Sequence, residues 1–178
     1  NVRAAYSSGT PAIGVGAGNV TVIVDETADL DAAAFKIMKS KTFDHATSCS
    51  SENALVVVDK IYDTFLEKLG DCGGRLLDEQ EKQILQDSLW VNGKLNRQML
   101  ARDAEILCQM ADLKRNDSTE TKFLMVKESG IGPDYPFSGE KLSPVLSVYR
   151  ASDFDDAQQT ALNILNHQGK GHSIGLHS

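Results

Sequence analysis

Residues 54–58 have the sequence Ala-Leu-Val-Val-Val, and this uninterrupted apolar run decides the fold. A run without polar alternation is typical of a strand that is buried on both faces of a parallel sheet. Residues 20–24, Val-Thr-Val-Ile-Val, form a second such run. Between them, residues 30–40 carry apolar side chains at helical spacing: Leu30, Ala33, Ala34, Ile37 and Met38. The order strand, helix, strand predicts an α/β fold.

The same alternation continues to the end of the chain. Further strands are predicted over residues 122–127, 144–149 and 172–176. Helices are predicted over residues 61–69, 76–89 and 96–113, and a last helix begins at Asp153. Strands separated by helices predict a three-layer, doubly wound, mostly parallel sheet with helices on both faces.

Composition limits the classes of function. The 178 residues are 41% hydrophobic and 24% charged, which is typical of one soluble domain. No apolar run approaches the ~20 residues of a membrane span, and the net charge of −7 disfavours nucleic-acid binding. The three cysteines have no metal-ligand spacing, so we expect no metal and reduced thiols in the cytoplasm. The chain begins and ends within segments that have a regular sequence pattern, so we expect it to be one domain of a longer enzyme.

Cys49 is the candidate nucleophile. It lies in a small, polar junction between a predicted helix and the strand at 54–58, whereas Cys72 and Cys108 lack such a setting. A lone cysteine is more often an inert, buried residue, and that interpretation stays open on position alone. If Thr47 and Ser48 cap a short helix, Cys49 lies in its first turn, where the helix dipole favours the thiolate.

Three other segments are candidate binding loops. Residues 14–19 are glycine-rich, but a strand follows them rather than a helix, so a close-approach turn is favoured over a dinucleotide fingerprint. Residues 129–139 form a loop rich in glycine and proline that ends at Glu140. His172 follows Gly171. Glu140 is either a ligand-binding rim or a surface charge, and His172 either contacts a ligand or is structural.

These segments, in this order, resemble the aldehyde dehydrogenase superfamily over essentially the whole chain. The Cys49 block and residues 57–65 are similar to the family's cysteine strand and its "IYDxF" helix, and residues 140–145 align with "ExFGPV". The resemblance implies that residues 1–178 are the catalytic domain, without the NAD-binding domain. It also implies that Cys49 is the nucleophile, that Glu140 binds the nicotinamide ribose beside Leu142, and that His172 contacts cofactor or coenzyme A.

The departures from the family pattern point to its CoA-acylating branch, which includes the aldehyde dehydrogenase half of bifunctional aldehyde-alcohol dehydrogenases. Gly14 stands where hydrolytic members carry the glutamate of "ELGGK", and Leu142 replaces the phenylalanine of "ExFGPV". The branch shares residues 4–20, 40–44 and 140–154 and the Gly171-His172 pair. The "GQxC" of other members is Ala-Thr-Ser-Cys here.

The resemblance implies a reversible reaction in two halves. Cys49 attacks the aldehyde, NAD or NADP accepts the hydride, and the acyl group of the resulting thioester passes to coenzyme A. The expected partners are a small aldehyde and coenzyme A, with the full-length enzyme a homo-oligomer. Two alternatives stay open: a non-catalytic isolated domain, and a hydrolytic dehydrogenase that uses another base, such as Glu52. The aldehyde is undetermined, although a positively charged pocket would favour an anionic one.

Overall fold

The computed structural model of the chain describes residues 2–14, 18–114 and 120–178. Its strands are β1 (Val20–Val24), β2 (Glu52–Val58), β3 (Gly74–Leu76), β4 (Trp90–Val91), β5 (Lys94–Leu95), β6 (Phe123–Lys127), β7 (Val145–Ala151) and β8 (Ile174–His177). Its α-helices are α1 (Val2–Tyr6), α2 (Leu30–Thr42), α3 (Tyr62–Asp71), α4 (Glu79–Leu89), α5 (Ala104–Met110) and α6 (Phe154–His167), and short 3-10 helices span Phe43–Ala46, Asp59–Ile61 and Pro136–Ser138.

Six strands form one parallel sheet in the order β3-β6-β7-β2-β1-β8, and β4 and β5 form a separate antiparallel hairpin. Helices α2 and α3 pack on one face of the sheet. Helices α4, α5 and α6 cover the other face. The predicted three-layer α/β class is therefore confirmed. In the described ranges, no helix is both long enough and apolar enough to cross a membrane.

Several predicted boundaries are wrong, each for a local reason. The helix predicted over 96–113 is confined to α5, because Ala101 has a φ of 54° and Asp103 is extended. The helix predicted from residue 76 begins at Glu79 instead, after Asp78 forms a capping box with Glu81. The strand predicted from His172 begins at Ile174, because the N–H of His172 closes a turn onto the carbonyl of Gly169 at 3.0 Å.

Phe123 is a fully buried side chain of β6 in the core beneath α3. Its ring is so closely packed that a Cβ placed on Gly74 would lie 2.6 Å from it. We expect Phe123→Ala to lower the free energy of unfolding by about 3–5 kcal/mol, because the vacated volume cannot refill. Urea unfolding measures the loss. Leu162→Ala, at a 52% exposed helical site, is the control and should stay within ~0.5 kcal/mol; equal losses would contradict the expectation.

Candidate active site

Four segments singled out in the sequence meet at the amino edge of the sheet. Gly18, Cys49, Glu140 and His172 each precede a strand, namely β1, β2, β7 and β8 in turn. These strands are consecutive in the sheet order β7-β2-β1-β8. Since all of them are parallel, their amino ends lie along one edge, and the loops before them are neighbours.

Gly18 is the point at which the other three residues converge. A Cβ at Gly18 would lie 3.1 Å from Cδ2 of His172, 3.3 Å from the carbonyl oxygen of Cys49 and 3.4 Å from Oε1 of Glu140. A side chain at this position would therefore displace its neighbours. We call the space in front of Gly18, bounded by these three residues, the Gly18 cradle.

The fourth predicted site residue, Leu142, is not among the atoms nearest Gly18. It is half-buried and has a left-handed φ of 46°. Its carbonyl accepts a 3.1 Å hydrogen bond from the N–H of Ala101. Of the glycine-rich segment before β1, residues 15–17 lie outside the described ranges, and the N–H of Gly14 donates to the Tyr6 hydroxyl at 2.8 Å.

Cys49 lies in a turn rather than a helix. The N–H of Ser51 donates to the carbonyl of Ser48 at 2.9 Å, and β2 begins at the next residue, Glu52. The prediction that Thr47 and Ser48 cap a helix is therefore wrong, because the bond from Ser51 to Ser48 closes a turn around Cys49 and the chain then continues directly into β2. The thiol is exposed on this turn, and the argument from a helix dipole does not apply to it.

The backbone just before Cys49 is strained. Asp44, His45 and Ala46 have φ values of 48°, 51° and 59°, a left-handed turn made of three non-glycine residues. Such a conformation costs about 1–2 kcal/mol per residue. Neighbouring bonds hold it: the Thr47 hydroxyl donates to Oδ2 of Asp44 at 2.7 Å, and Nδ1 of His45 lies 3.0 Å from Oδ1 of Asp103. Strain next to a reactive group is common at functional sites.

Glu140 is half-buried at the wall of the cradle. Burial raises the pKa of its carboxyl, and the positive charges of His172, Lys141 and Lys41 oppose that shift. The N–H of Lys141 donates to Oδ1 of buried Asn53 at 3.1 Å, which attaches the Glu140 segment to the start of β2. Glu140 is thereby held on the same strand end as Cys49.

His172 is held by a close approach of two backbones. Gly169 has a φ of 123°, and a Cβ there would lie 2.8 Å from Cβ of Asn19. Asn19 is fully buried, and its Nδ2 donates to the carbonyl of Ser138 at 2.8 Å. Asn19 thus joins the start of β1 to the loop before β7. The turn at Gly169 places the His172 side chain next to Gly18.

The chain is similar to known proteins over its whole length. Residues 3–79 match a family model described as the aldehyde dehydrogenase family. An acylating sulfoacetaldehyde dehydrogenase of Cupriavidus necator is 51% identical over the whole chain. The chain is thus similar to aldehyde dehydrogenases. A bifunctional aldehyde-alcohol dehydrogenase of Escherichia coli is 42% identical over 99% of the chain.

Solved structures of similar enzymes share the fold. An acetylating aldehyde dehydrogenase of Geobacillus thermoglucosidasius superposes with a TM-score of 0.93 at 40% identity, over 99% of this chain and 39% of that one. The chain spans 36% of the Cupriavidus relative and 20% of the Escherichia one. It therefore corresponds to one part of these longer dehydrogenases.

Two buried lysines lie beneath the site, and the sequence analysis missed them. Nζ of Lys41 donates to the carbonyl of Glu52 at 2.6 Å. Nζ of Lys141 donates to the carbonyls of Phe137 and Gly139 at 2.7 and 2.9 Å. Both side chains are at most 1% exposed. A signal for Lys41 existed, because it continues the buried stripe of α2 formed by Ala34 and Ile37.

Lys41 gives the protein a testable pH dependence of stability. Burial lowers the pKa of Lys41 from its ordinary value of 10.5 to about 7, and the charges of Glu52 and Glu140 oppose the shift. Between those two pH values the unfolded chain binds more protons than the folded one, so the free energy of unfolding rises with pH. Below about pH 7 the full cost of burying the charge remains.

We expect Lys41→Met to weaken this rise, leaving the contribution of Lys141, whose pKa burial lowers well below the usual value of a lysine. Urea unfolding of wild type and variant at several pH values between about 7 and 10 measures the slope. Lys60→Met, at an exposed lysine, is the matched control and should keep the wild-type slope. An unchanged slope in Lys41→Met would contradict the assignment.

Proposed function

We propose that the chain is the nucleophile-bearing domain of a CoA-acylating aldehyde dehydrogenase. The observation that carries the proposal is the meeting of Cys49, Glu140 and His172 around Gly18. The printed names of the similar enzymes from Cupriavidus necator and Geobacillus thermoglucosidasius, which are acylating and acetylating dehydrogenases, support the same reaction class. We further propose that the full-length enzyme is a cytoplasmic homo-oligomer.

The cradle suits a nicotinamide dinucleotide. Glycine at position 18 leaves its backbone without a side chain, and the Glu140 carboxylate on the wall of the cradle offers acceptors for the two hydroxyls of a ribose. Glu140 and His172 are the residues proposed to hold NAD or NADP there, with Leu142 in the same segment. When bound, the dinucleotide supplies the hydride acceptor.

The exposed thiol of Cys49 has the access that a nucleophile needs. Its thiolate attacks the aldehyde carbonyl, and the carbonyl oxygen takes up negative charge that backbone N–H groups of the turn can stabilise. Loss of hydride from the carbonyl carbon leaves the acyl group as a thioester on Cys49. The side chains on either side of Cys49 are the hydroxyls of Ser48 and Ser50, which are neither carboxylates nor imidazoles.

The acceptor of the acyl group follows from Gly14. Glycine provides no carboxylate to activate water, and a positioned base contributes roughly 10²–10⁴-fold to such a step. A thiolate needs less help, since it is intrinsically nucleophilic. Coenzyme A therefore attacks the thioester carbonyl and releases the Cys49 thiolate, and the same steps run backwards reduce acyl-CoA to aldehyde.

The test uses the full-length enzyme with a small aldehyde and NAD⁺, with and without coenzyme A. We expect NADH and a CoA thioester to form together, and NADH formation to stop after about one turnover when coenzyme A is omitted. Equal rates of free-acid formation without coenzyme A would refute the proposal. Glu52→Gln tests the hydrolytic alternative: unchanged CoA-dependent turnover dismisses Glu52 as the base.

A further inference from the structure

A positively charged groove of about 480 Å³ lies beside the Cys49 turn. Its walls come from α2, from the segment after α2 and from the turn itself: Phe35, Lys36, Lys39, Phe43, Ser48 and Ser50. We call it the Lys39 groove. It is separate from the Gly18 cradle, whose nearest atoms belong to other residues.

The cations of this groove are available to a ligand. Nζ of Lys39 lies 5.3 Å from the centroid of the exposed Phe35 ring. Within residues 2–14, 18–114 and 120–178, neither Lys36 nor Lys39 pairs with a carboxylate. Two ammonium groups therefore face the groove without a neutralising partner from the described chain.

Hydroxyl donors adjoin these cations on the side of the nucleophile. Oγ of Ser48 and Oγ of Ser50 are 2.9 Å apart, and the two residues flank Cys49. One of the two hydroxyls donates to the other, so the pair keeps one O–H for a ligand. The Lys39 ammonium adds three N–H donors, which is enough to serve all three oxygens of a sulfonate. Because Ser48 and Ser50 flank Cys49, an anion bound by their hydroxyls lies on the same turn as the nucleophile.

We propose that the Lys39 groove receives the sulfonate of a two-carbon aldehyde, and that Lys39, Ser48 and Ser50 determine this specificity. The inference rests on the proposed function, since it needs Cys49 as the nucleophile. The exposed rings of Phe35 and Phe43 form the apolar walls, which reduce solvent screening of the charge pair. Lys36 adds a second positive charge at the groove.

The experiment compares kcat/KM of the full-length enzyme for sulfoacetaldehyde, acetaldehyde and succinic semialdehyde, each with NAD⁺ and coenzyme A. Wild type is expected to prefer sulfoacetaldehyde. Lys39→Met and the double variant Ser48→Ala, Ser50→Ala are each expected to lower the ratio of sulfoacetaldehyde to acetaldehyde about tenfold. Lys39→Arg should restore most of the ratio, and Lys60→Met, at an exposed lysine outside the groove, should keep it.

The outcomes distinguish a failure of the groove assignment from a failure of the acylating function. Acyl-CoA formation without sulfonate preference, or an unchanged ratio in Lys39→Met, overturns the groove assignment and leaves the acylating function standing. A preference for succinic semialdehyde overturns the sulfonate in favour of a carboxylate. No CoA-dependent turnover with any aldehyde overturns the acylating function itself.

A binding measurement tests the groove without turnover. Ethanesulfonate is expected to slow alkylation of Cys49 by iodoacetamide at least about fivefold in wild type, and less than twofold in Lys39→Met. Ethanol at the same concentration is the uncharged control and should not protect. Absence of protection by ethanesulfonate in wild type overturns the inference.

Discussion

Cys49→Ser is expected to lower CoA-dependent aldehyde oxidation by roughly a thousandfold or more. A serine hydroxyl stays protonated at neutral pH, whereas a cysteine thiol supplies a fraction of reactive thiolate. The change removes one polarizable atom from an exposed turn, so the fold should persist. NADH formation with saturating aldehyde and coenzyme A measures the loss, and mass spectrometry should detect no acylated enzyme.

The other two cysteines are matched controls for this result. Cys72 is half-buried, and Cys108 is buried at 3.8 Å from Nη1 of Arg75. Burial raises the pKa of the Cys108 thiol, which further disfavours it as a nucleophile. Cys72→Ser should keep wild-type turnover. More than a tenth of wild-type activity in Cys49→Ser would show that the thiol is not the nucleophile.

Gly18→Val is expected to lower kcat/KM at least about a hundredfold and to weaken NAD⁺ binding. The added methyl groups would enter the cradle, where even a Cβ would lie 3.1 Å from His172 and 3.3 Å from the carbonyl of Cys49. A displacement of about 1 Å at a reacting group can cost that factor. Steady-state kinetics and NAD⁺ titration of the full-length enzyme measure both effects.

A graded series separates crowding of the site from damage to the fold. Gly18→Ala should have a smaller effect than Gly18→Val, because its single Cβ lies 3.1–3.4 Å from its neighbours and a valine adds two further methyl groups to the same space. Gly70→Ala is the control, since a Cβ there meets nothing within 4 Å. Wild-type kinetics in Gly18→Val, or a loss fully accounted for by a lower unfolding temperature, would contradict the cradle.

The helix-to-strand junction illustrates a limit of local sequence patterns. Small polar residues around Cys49 predicted a helix cap, but three left-handed residues and the early start of β2 leave a turn instead. The local sequence pattern does not distinguish a helix cap from a turn, because serine and threonine favour both. The exposure of the thiol, which matters for its chemistry, is the same in either case.

Lys41 and Lys141 illustrate a different limit. A lysine in a sequence is most often at the surface, so neither was expected in the interior. Their burial is possible because carbonyls of Glu52, Phe137 and Gly139 accept from their ammonium groups. Those carbonyls belong to loops whose positions depend on the packed sheet.

The sequence by itself determined the α/β class, five of the six strands in the main sheet of the described residues, and the residue types of the candidate site. These features follow from apolar periodicity and side-chain chemistry, which are local properties. Only the tertiary structure decided which loops meet. Gly18, Cys49, Glu140 and His172 are far apart along the chain, and the order β7-β2-β1-β8 makes them neighbours. That order follows from long-range packing of parallel strands through helices on both faces, which no short window of sequence encodes.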